Sequence, residues 1–176
     1  MSLTLRKFQA RDIAELFSWF ETERDVLQWA GANMSWPLNR GEMKALIRQH
    51  RGDKPAREVW AVCESDVMIG HFQLGLNRRL RTAGLGRIAI DPLRRGNGLA
   101  HDLMALILAR AFSHGWVHRV DLMVYDRNAA AIAAYNRAGF ILEGTRRETT
   151  PIGDEVWDTH MMSILRPEYE VFDKRT

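Results

Sequence analysis

Two stretches of the chain bring together residue types that can do chemistry. The first is IAIDPLRRGNGLAHDLM, residues 88–104, where a β-like run reaches Pro92, passes Arg94 and Arg95, and crosses Gly96, Asn97 and Gly98 into an apolar helical pattern. The start of a helix carries unpaired backbone N–H groups and the positive end of the macrodipole, which makes it a seat for an anion. Gly96 and Gly98 allow a bulky anion to approach the backbone, and Leu99, Ala100 and His101 offer the free N–H groups of the first turn. Arg94 and Arg95 add charge at the mouth. The same residues would serve a strand-to-helix turn that merely needs glycine. No third glycine follows at the dinucleotide-binding spacing, and no Gly-Lys-Ser/Thr closes the loop in the Walker manner.

The second stretch is YDRNAAAIAAYNRAGF, residues 125–140. Asn128 is a good N-cap, and Ala131 and Tyr135 follow three and seven residues on, so all three share one helical face. The alanines between them leave a smooth surface against which a flat or extended molecule can lie. The reading of Tyr135 that needs no chemistry is a core tyrosine with a satisfied hydroxyl. Cys63 sits mid-strand with no histidine beside it, which favours a buried thiol over an acyl-accepting nucleophile. His71 reads as a strand histidine with a satisfied nitrogen, the alternative being a wall of an acceptor pocket. The six histidines show no metal-ligand spacing, and no metal is expected.

These residues need elements to position them. Residues 4–8 read as a short strand, and 11–30 carry two helical patterns, one built on Ile13, Leu16, Phe17 and Phe20 and the next on Val26, Leu27 and Trp29. A Gly/Asn/Ser/Pro loop separates them from a helix over 41–50. Residues 58–64 and 67–76 read as strands joined by a hairpin turn at Ser65-Asp66, and 86–90 as a third. The strongest helix covers 99–114, with Gly115 fitting the C′ position. Residues 119–125 return to strand, a helix capped by Asn128 runs to Ala138, and Gly139 stops it. Residues 140–148 and 156–165 form a last antiparallel pair across TPIGDE. The order β-α-α-α-β-β-β-α-β-α-β-β alternates irregularly in its first half. It predicts an α/β fold with a mixed sheet and helices on its faces, rather than a doubly wound parallel sheet. No repeat or linker interrupts it, so residues 1–176 read as a single domain.

Composition bounds the function. The 176 residues are 46% hydrophobic and 27% charged, an ordinary globular balance with enough chain for a sizeable core. No run approaches the roughly 18 apolar residues of a membrane span, and MSLTLRKFQARD lacks the features of a secretory signal. With a single cysteine no disulfide framework is available, and a cytoplasmic location is expected. The net charge of +3 and pI of about 9.3 suit an anionic ligand or a nucleic acid. The densest basic run, NRRLR at residues 77–81, reads as a solvated loop or a local phosphate contact by Arg78, Arg79 or Arg81. Basic and aromatic residues do not interleave along any one element, so neither nucleic acid nor membrane is expected as a partner.

Together the two stretches closely resemble the GNAT superfamily of N-acetyltransferases. Its Arg/Gln-x-x-Gly-x-Gly/Ala motif is met by Arg95, Gly98 and Ala100, and its Asn-x-x-Ala-x-x-x-Tyr-x-x-x-Gly-Phe motif by Asn128, Ala131, Tyr135, Gly139 and Phe140, in the family's order and separation. The opening LTLRKFQARDIAELFSWF and the closing EVWDTHMMSIL look most like the branch holding ribosomal-protein alanine and spermidine N-acetyltransferases. The resemblance implies the acyl-CoA N-acyltransferase fold, a central and mostly antiparallel sheet with helices on both faces. It implies that the anion is the pyrophosphate of the co-substrate acetyl-CoA, bound through Arg95, Gly96, Asn97, Gly98, Leu99 and Ala100. Ile88 to Ile90 would pair with the pantetheine arm as an added strand and aim an N–H at the thioester carbonyl. Asn128 is expected among the cofactor contacts, and Tyr135 in the catalytic role of hydrogen-bonding the departing thiolate.

The pattern breaks in one place. Met123 stands where some ribosomal-protein acetyltransferases carry a glutamate, and it cannot accept a proton. Asp121, Asp126, a water relay or an already neutral amine remain open as the base. A non-catalytic acyl-CoA-binding sensor of the same fold is therefore the alternative to an N-acetyltransferase. The acceptor implied is a primary amine: a protein N-terminus, a polyamine, an aminoglycoside or another small amine. Glu21, Glu23, Asp25 and Glu42, then Asp154, Glu155 and Asp158, lie in segments that surround the acceptor in the family. Acid there would favour a cationic amine, although solvated faces look the same. Trp29 and Trp36 are candidates for an aromatic wall, and a homodimer fits the family habit.

Overall fold

A computed structural model describes residues 3–96 and 98–173 of the chain. Seven strands build one sheet: β1 (Leu3–Lys7), β2 (Arg57–Glu64), β3 (Val67–Asn77), β4 (Thr82–Ile90), β5 (Arg119–Tyr125), β6 (Ile141–Ile152) and β7 (Glu155–Leu165). Their spatial order is β1-β2-β3-β4-β5-β7-β6. Every neighbouring pair is antiparallel except β4 and β5.

The period-2 alternation of the strands splits the apolar residues between two faces. From β2, Val59, Ala61 and Cys63 enter one core with Phe8, Ile13, Leu16, Val26, Trp29 and Met43. That core lies under α1 (Ile13–Ser18), α2 (Glu23–Ala30) and α3 (Arg40–Gln49), all threaded between β1 and β2. Val62 of β2, with Phe72, Leu74, Leu85, Val120 and Leu122, enters the opposite core. That one is covered by α4 (Leu99–Phe112) and α5 (Ala129–Arg137). Leu103, Met104, Ile107, Leu108, Ala111 and Phe112 bury one side of α4 there, as their helical spacing requires. Among the described residues no helix is long and apolar enough to cross a membrane.

Several local expectations hold for the reasons that suggested them. Ser65 and Asp66 both adopt left-handed φ, 47° and 69°, the geometry of a two-residue hairpin turn that follows the strand twist. Cys63 is buried, and Trp29 is core, stacked on Phe20 at 4.5 Å. Trp36 is 40% exposed.

Other expectations are corrected. β4 begins at Thr82, not at residue 86, because Gly84 and Gly86 weaken a strand pattern that sheet pairing nevertheless enforces. NRRLR closes the β3–β4 turn, where Arg78 lies over the Trp116 ring at 4.8 Å and Arg81 Nε donates to the Trp116 carbonyl at 3.2 Å. Nine residues of β4, roughly 30 Å of strand, separate that turn from Arg95, so it is a structural turn and not a phosphate contact at the glycine loop. α4 ends at Phe112 with Ser113 as a right-handed C-cap, φ −61°, so Gly115 is not the C′ residue. β6 continues through Thr150 and Pro151 to Ile152, leaving only Gly153-Asp154 as the turn. Pro151 is tolerated because β6 is the sheet's edge. A further helix, α6 (Arg166–Asp173), follows β7 directly and was not expected. Its sequence signal is Pro167 in the first turn.

Candidate active site

The sheet carries a fork between its two parallel strands. β4 and β5 pair only from Thr82↔Arg119 to Leu85↔Leu122, while β4 runs on to Ile90 and β5 to Tyr125. The cause is a bulge. The β3–β4 register shifts between His71 and Gln73, and Arg87 sits there with φ at +51°. A bulge bends its strand and strengthens the twist, which carries the end of β4 away from β5. Beyond the bulge the Asp91 N–H bonds to the Ile69 carbonyl of β3 at 2.9 Å. Strand alternation then directs the N–H groups of Ile90 and Ile88 to the other edge, into the fork. These are main-chain donors without a neighbouring strand, which an extended ligand can satisfy.

The glycine turn lies at the mouth of the fork. Gly96 and Gly98 have φ of +82° and +78°, and a Cβ at either would meet no atom within 4 Å. Glycine is demanded by backbone conformation here, and the space above it is open. Gly98 is the N-cap of α4 and offers no side-chain cap, so the N–H groups opening the helix at Leu99 and Ala100 keep their anion-seeking character. Arg95 is exposed, and its Nε donates to the Ile90 carbonyl at 3.2 Å, fastening the turn to the strand end. Arg94, also expected at the mouth, pairs with Glu64 at the end of β2, 3.0 Å away. Asn97 lies outside the described residues.

α5 flanks the fork on the α4 side. The Asn128 side-chain oxygen accepts from the Ala131 N–H at 3.2 Å, capping the helix as its position suggests and leaving its NH2 donors for other partners. Ala131 and Tyr135 are half-buried against the α4-side core. The Tyr135 hydroxyl makes no hydrogen bond to another described residue, and burial pushes its pKa up to about 12. It keeps its proton throughout the neutral range and so has a hydrogen to donate. Gly139, φ +89°, ends the helix.

The opposite face of the fork is the side on which Asp121, Met123 and Tyr125 project, since Val120, Leu122 and Val124 face the α4 core. Met123 is 63% exposed. Of its two acidic neighbours, Asp126 is committed to the Asp158 N–H at 3.1 Å. Asp121 is half-buried beside Arg119, 3.4 Å away, and burial raises its pKa. Tyr125 lies edge-on to the buried Trp157 at 5.3 Å, its hydroxyl accepting from Thr150 at 3.2 Å. α2 is clamped across this end by Arg24, which pairs with Glu155 at 3.1 Å and lies over the Trp157 ring.

Most of the acids expected to attract a cation have structural occupations. Asp25 closes the capping box of α2 with Thr22. Glu42 holds the Ser35 N–H and hydroxyl at 3.2 and 2.9 Å. Asp158 accepts from the Glu148 N–H at 2.8 Å. Glu155 is held down at about 2 by Arg24 and by the Trp157 N–H. Glu21, Glu23 and Asp154 are exposed.

The sequence reading did not single out Arg87, Arg57 or Gln73. Gln73 is fully buried, and its side-chain oxygen accepts from Arg57 at 3.2 Å and from Arg87 at 3.1 Å. No local signal marks them, because their meeting depends on the β2–β3–β4 register. Among the described residues, no group of three or more His, Cys, Asp or Glu is placed to hold a metal.

A mostly antiparallel sheet forked at its one parallel pair, with a glycine-opened helix at the mouth, is the framework of an acyl-CoA transferase. The chain belongs to the GNAT acetyltransferases: residues 2–141 match the acetyltransferase (GNAT) domain. It is 25% identical to the L-amino acid N-acetyltransferase AaaT of Escherichia coli (strain K12) over 69% of this chain and 76% of that protein. It is 27% identical to the spermidine N(1)-acetyltransferase of Vibrio cholerae over 73% and 74% of the two chains. The crystal structure of spermidine N-acetyltransferase from Vibrio cholerae in complex with CoA and spermine matches with a TM-score of 0.81 at 26% identity, covering 96% of this chain and 98% of that one. The protein is thus an acetyl-CoA-dependent N-acetyltransferase, and the sensor alternative gives way to an enzyme.

Proposed function

We propose that residues 1–176 act as one transferase domain that passes the acetyl group of acetyl-CoA directly to a primary amine, both substrates being bound together. The fork carries this reading: five residues of β4 beyond its last pairing with β5 leave main-chain donors facing an open slot. The Ile88 and Ile90 backbone would hold the pantetheine arm, one of their N–H groups meeting the negative charge that develops on the thioester oxygen. Such a donor is worth about 3 kcal/mol in acyl transfer. The backbone amides from Arg95 through Asn97 and Gly98 to the opening of α4 at Leu99 and Ala100 would hold the pyrophosphate, with the Asn128 amide beside it. Tyr135 would hydrogen-bond the sulfur as it leaves, which suits a phenol that burial keeps protonated. The amine attacks from the face bearing Asp121 and Met123.

Calorimetric titration with acetyl-CoA, run on the parent protein and on Gly98→Asp, tests the core of this. Aspartate tolerates a left-handed φ better than most side chains, and its Cβ meets nothing, so folding should cost only about 1 kcal/mol. Its charge sits where the pyrophosphate would. One-to-one binding that weakens at least about tenfold in the variant is expected. Equal affinities would remove the pyrophosphate from this turn.

A further inference from the structure

The acceptor face holds a charge arrangement that its own structure does not balance. Arg57 and Arg87 are both half-buried, and both donate to one neutral partner, the Gln73 side-chain oxygen. Arg57 Nε also donates to Gln49 at 3.1 Å, whereas Arg87 Nε is buried and makes no hydrogen bond to any described residue. Among the described residues neither arginine forms an ion pair within 4 Å. Glu42 is near enough to act on Arg87, but both its oxygens are engaged by Ser35. Buried charge normally has a counter-charge, because desolvation is otherwise uncompensated. Here burial and mutual repulsion both work against the charged form of Arg87.

The sheet makes room beside this pair. Arg57, Gly75, Gly84 and Asp121 stand in one register row across β2, β3, β4 and β5. Neither glycine has a left-handed φ, so their contribution is the missing side chain. Gly86, one residue before Arg87, has nothing within 4 Å of its Cβ position. The result is a stretch of sheet without side chains at Gly75, Gly84 and Gly86, with two guanidinium groups gathered on Gln73 and the Asp121 carboxylate leaning over Gly84, its Oδ1 3.7 Å from where a Cβ would stand. It adjoins the fork, since Arg87 immediately precedes Ile88.

We propose that the acceptor is an amine bearing a carboxylate, as in a free amino acid, and that Arg87 with Arg57 receives the carboxylate while the nitrogen lies toward Asp121 and the fork. The orphaned Arg87 Nε and the Nη2 of the same guanidinium form the planar donor fork that a carboxylate takes in two hydrogen bonds. The assignment rests on the transferase reading above and deepens it. It makes Arg87 a specificity-determining residue of the reaction.

The test compares kcat/KM for standard L-amino acids with that for the corresponding decarboxylated amines, among them L-leucine against isoamylamine and L-lysine against cadaverine. Spermidine, and O-phosphoethanolamine against β-alanine, complete the panel. The parent enzyme is expected to prefer carboxylate-bearing members. In Arg87→Gln and in Arg57→Gln, the ratio of amino acid to amine should fall about 10- to 100-fold, mainly through KM. Arg87→Lys should recover part of it, and the Kd for acetyl-CoA should not change. A parent preference for cadaverine, isoamylamine or spermidine overturns the proposal, as does a ratio unmoved in both glutamine variants. Preference for O-phosphoethanolamine overturns the carboxylate in favour of a phosphate. Failure of the parent to bind acetyl-CoA in the calorimeter overturns the transferase reading, and this proposal with it.

Discussion

Tyr135 and Met123 divide the chemistry at the scale of single residues. A phenol raised to about 12 by burial holds its proton across any working pH, which suits the role proposed for Tyr135, a hydrogen-bond donor to the departing sulfur, and not that of the amine's base. Tyr135→Phe removes that donor and little else, because the ring packs tilted against Phe140 at 5.9 Å in either case. In steady-state assays with a reactive amine, kcat should drop about 100-fold while the Kd for acetyl-CoA stays within about twofold. Equal kcat values for the two proteins would release Tyr135 from this role. Because the exposed Met123 accepts no proton, the amine must lose its own to another group or to water, and half-buried Asp121 is the carboxylate on the same face.

At the scale of elements, the start of α5 has one duty in the structure and a second in the proposed function. The Asn128 oxygen caps the helix, and its NH2 would contact the co-substrate. Substitution separates the two. Asn128→Asp keeps a capping oxygen, so thermal unfolding should be nearly unchanged, but it replaces two donors with a charge. Asn128→Ala should cost about 1 kcal/mol of stability. If Asn128 contacts the co-substrate, calorimetry will find acetyl-CoA bound at least about fivefold more weakly by the Asp variant, without a stability loss. Parent-like affinity in that variant would leave Asn128 as a cap alone. β4 also does two things: antiparallel to β3 along its length, it abandons β5 after Leu85 because of one left-handed residue, Arg87.

For the whole molecule, two buried histidines link folding to pH. His71 is fully buried and is driven down from its ordinary value near 6.5 to about 3 by burial and by the charge of Arg87. His50, buried under α3's end with Nδ1 3.1 Å from the Val59 N–H, is lowered by burial as well. Where the unfolded chain binds protons that the folded one refuses, stability rises with pH. Their contribution is therefore complete above about pH 6.5 and is lost progressively below it, at about 1.4 kcal/mol per pH unit for each proton. Glu58 and Asp12 also titrate low, because the bonds of Glu58 to Arg110 and of Asp12 to Arg6 outweigh their burial. Their contribution is lost only below about pH 4.5, and Asp121, raised by burial, works in the opposite sense, so between pH 5 and 6.5 it is the histidines that make stability rise with pH. Over that window, urea unfolding of His71→Gln should show a clearly shallower slope of stability against pH than the parent. An unchanged slope would mean that His71 is not the group refusing the proton.

What the chain declares by itself is what neighbours in sequence can settle. Left-handed glycines before α4, an asparagine cap and tyrosine seven residues apart, and a Ser-Asp hairpin turn all follow from steric and hydrogen-bonding rules acting over a few residues, and they sufficed to identify the family. What required the tertiary structure depends on strand register. The fork exists only because β4 meets β5, 37 residues on from Thr82 to Arg119, in a pairing that stops after four residues. Arg94 pairs with Glu64, 30 residues away, and Glu155 with Arg24, 131 residues away. Arg57, Gln73 and Arg87 look unrelated along the chain and become one hydrogen-bonded cluster when three strands align them. Coulomb forces and hydrogen bonds act between whatever the fold brings within a few ångströms, so the charge of a residue is legible in sequence and its partner is not.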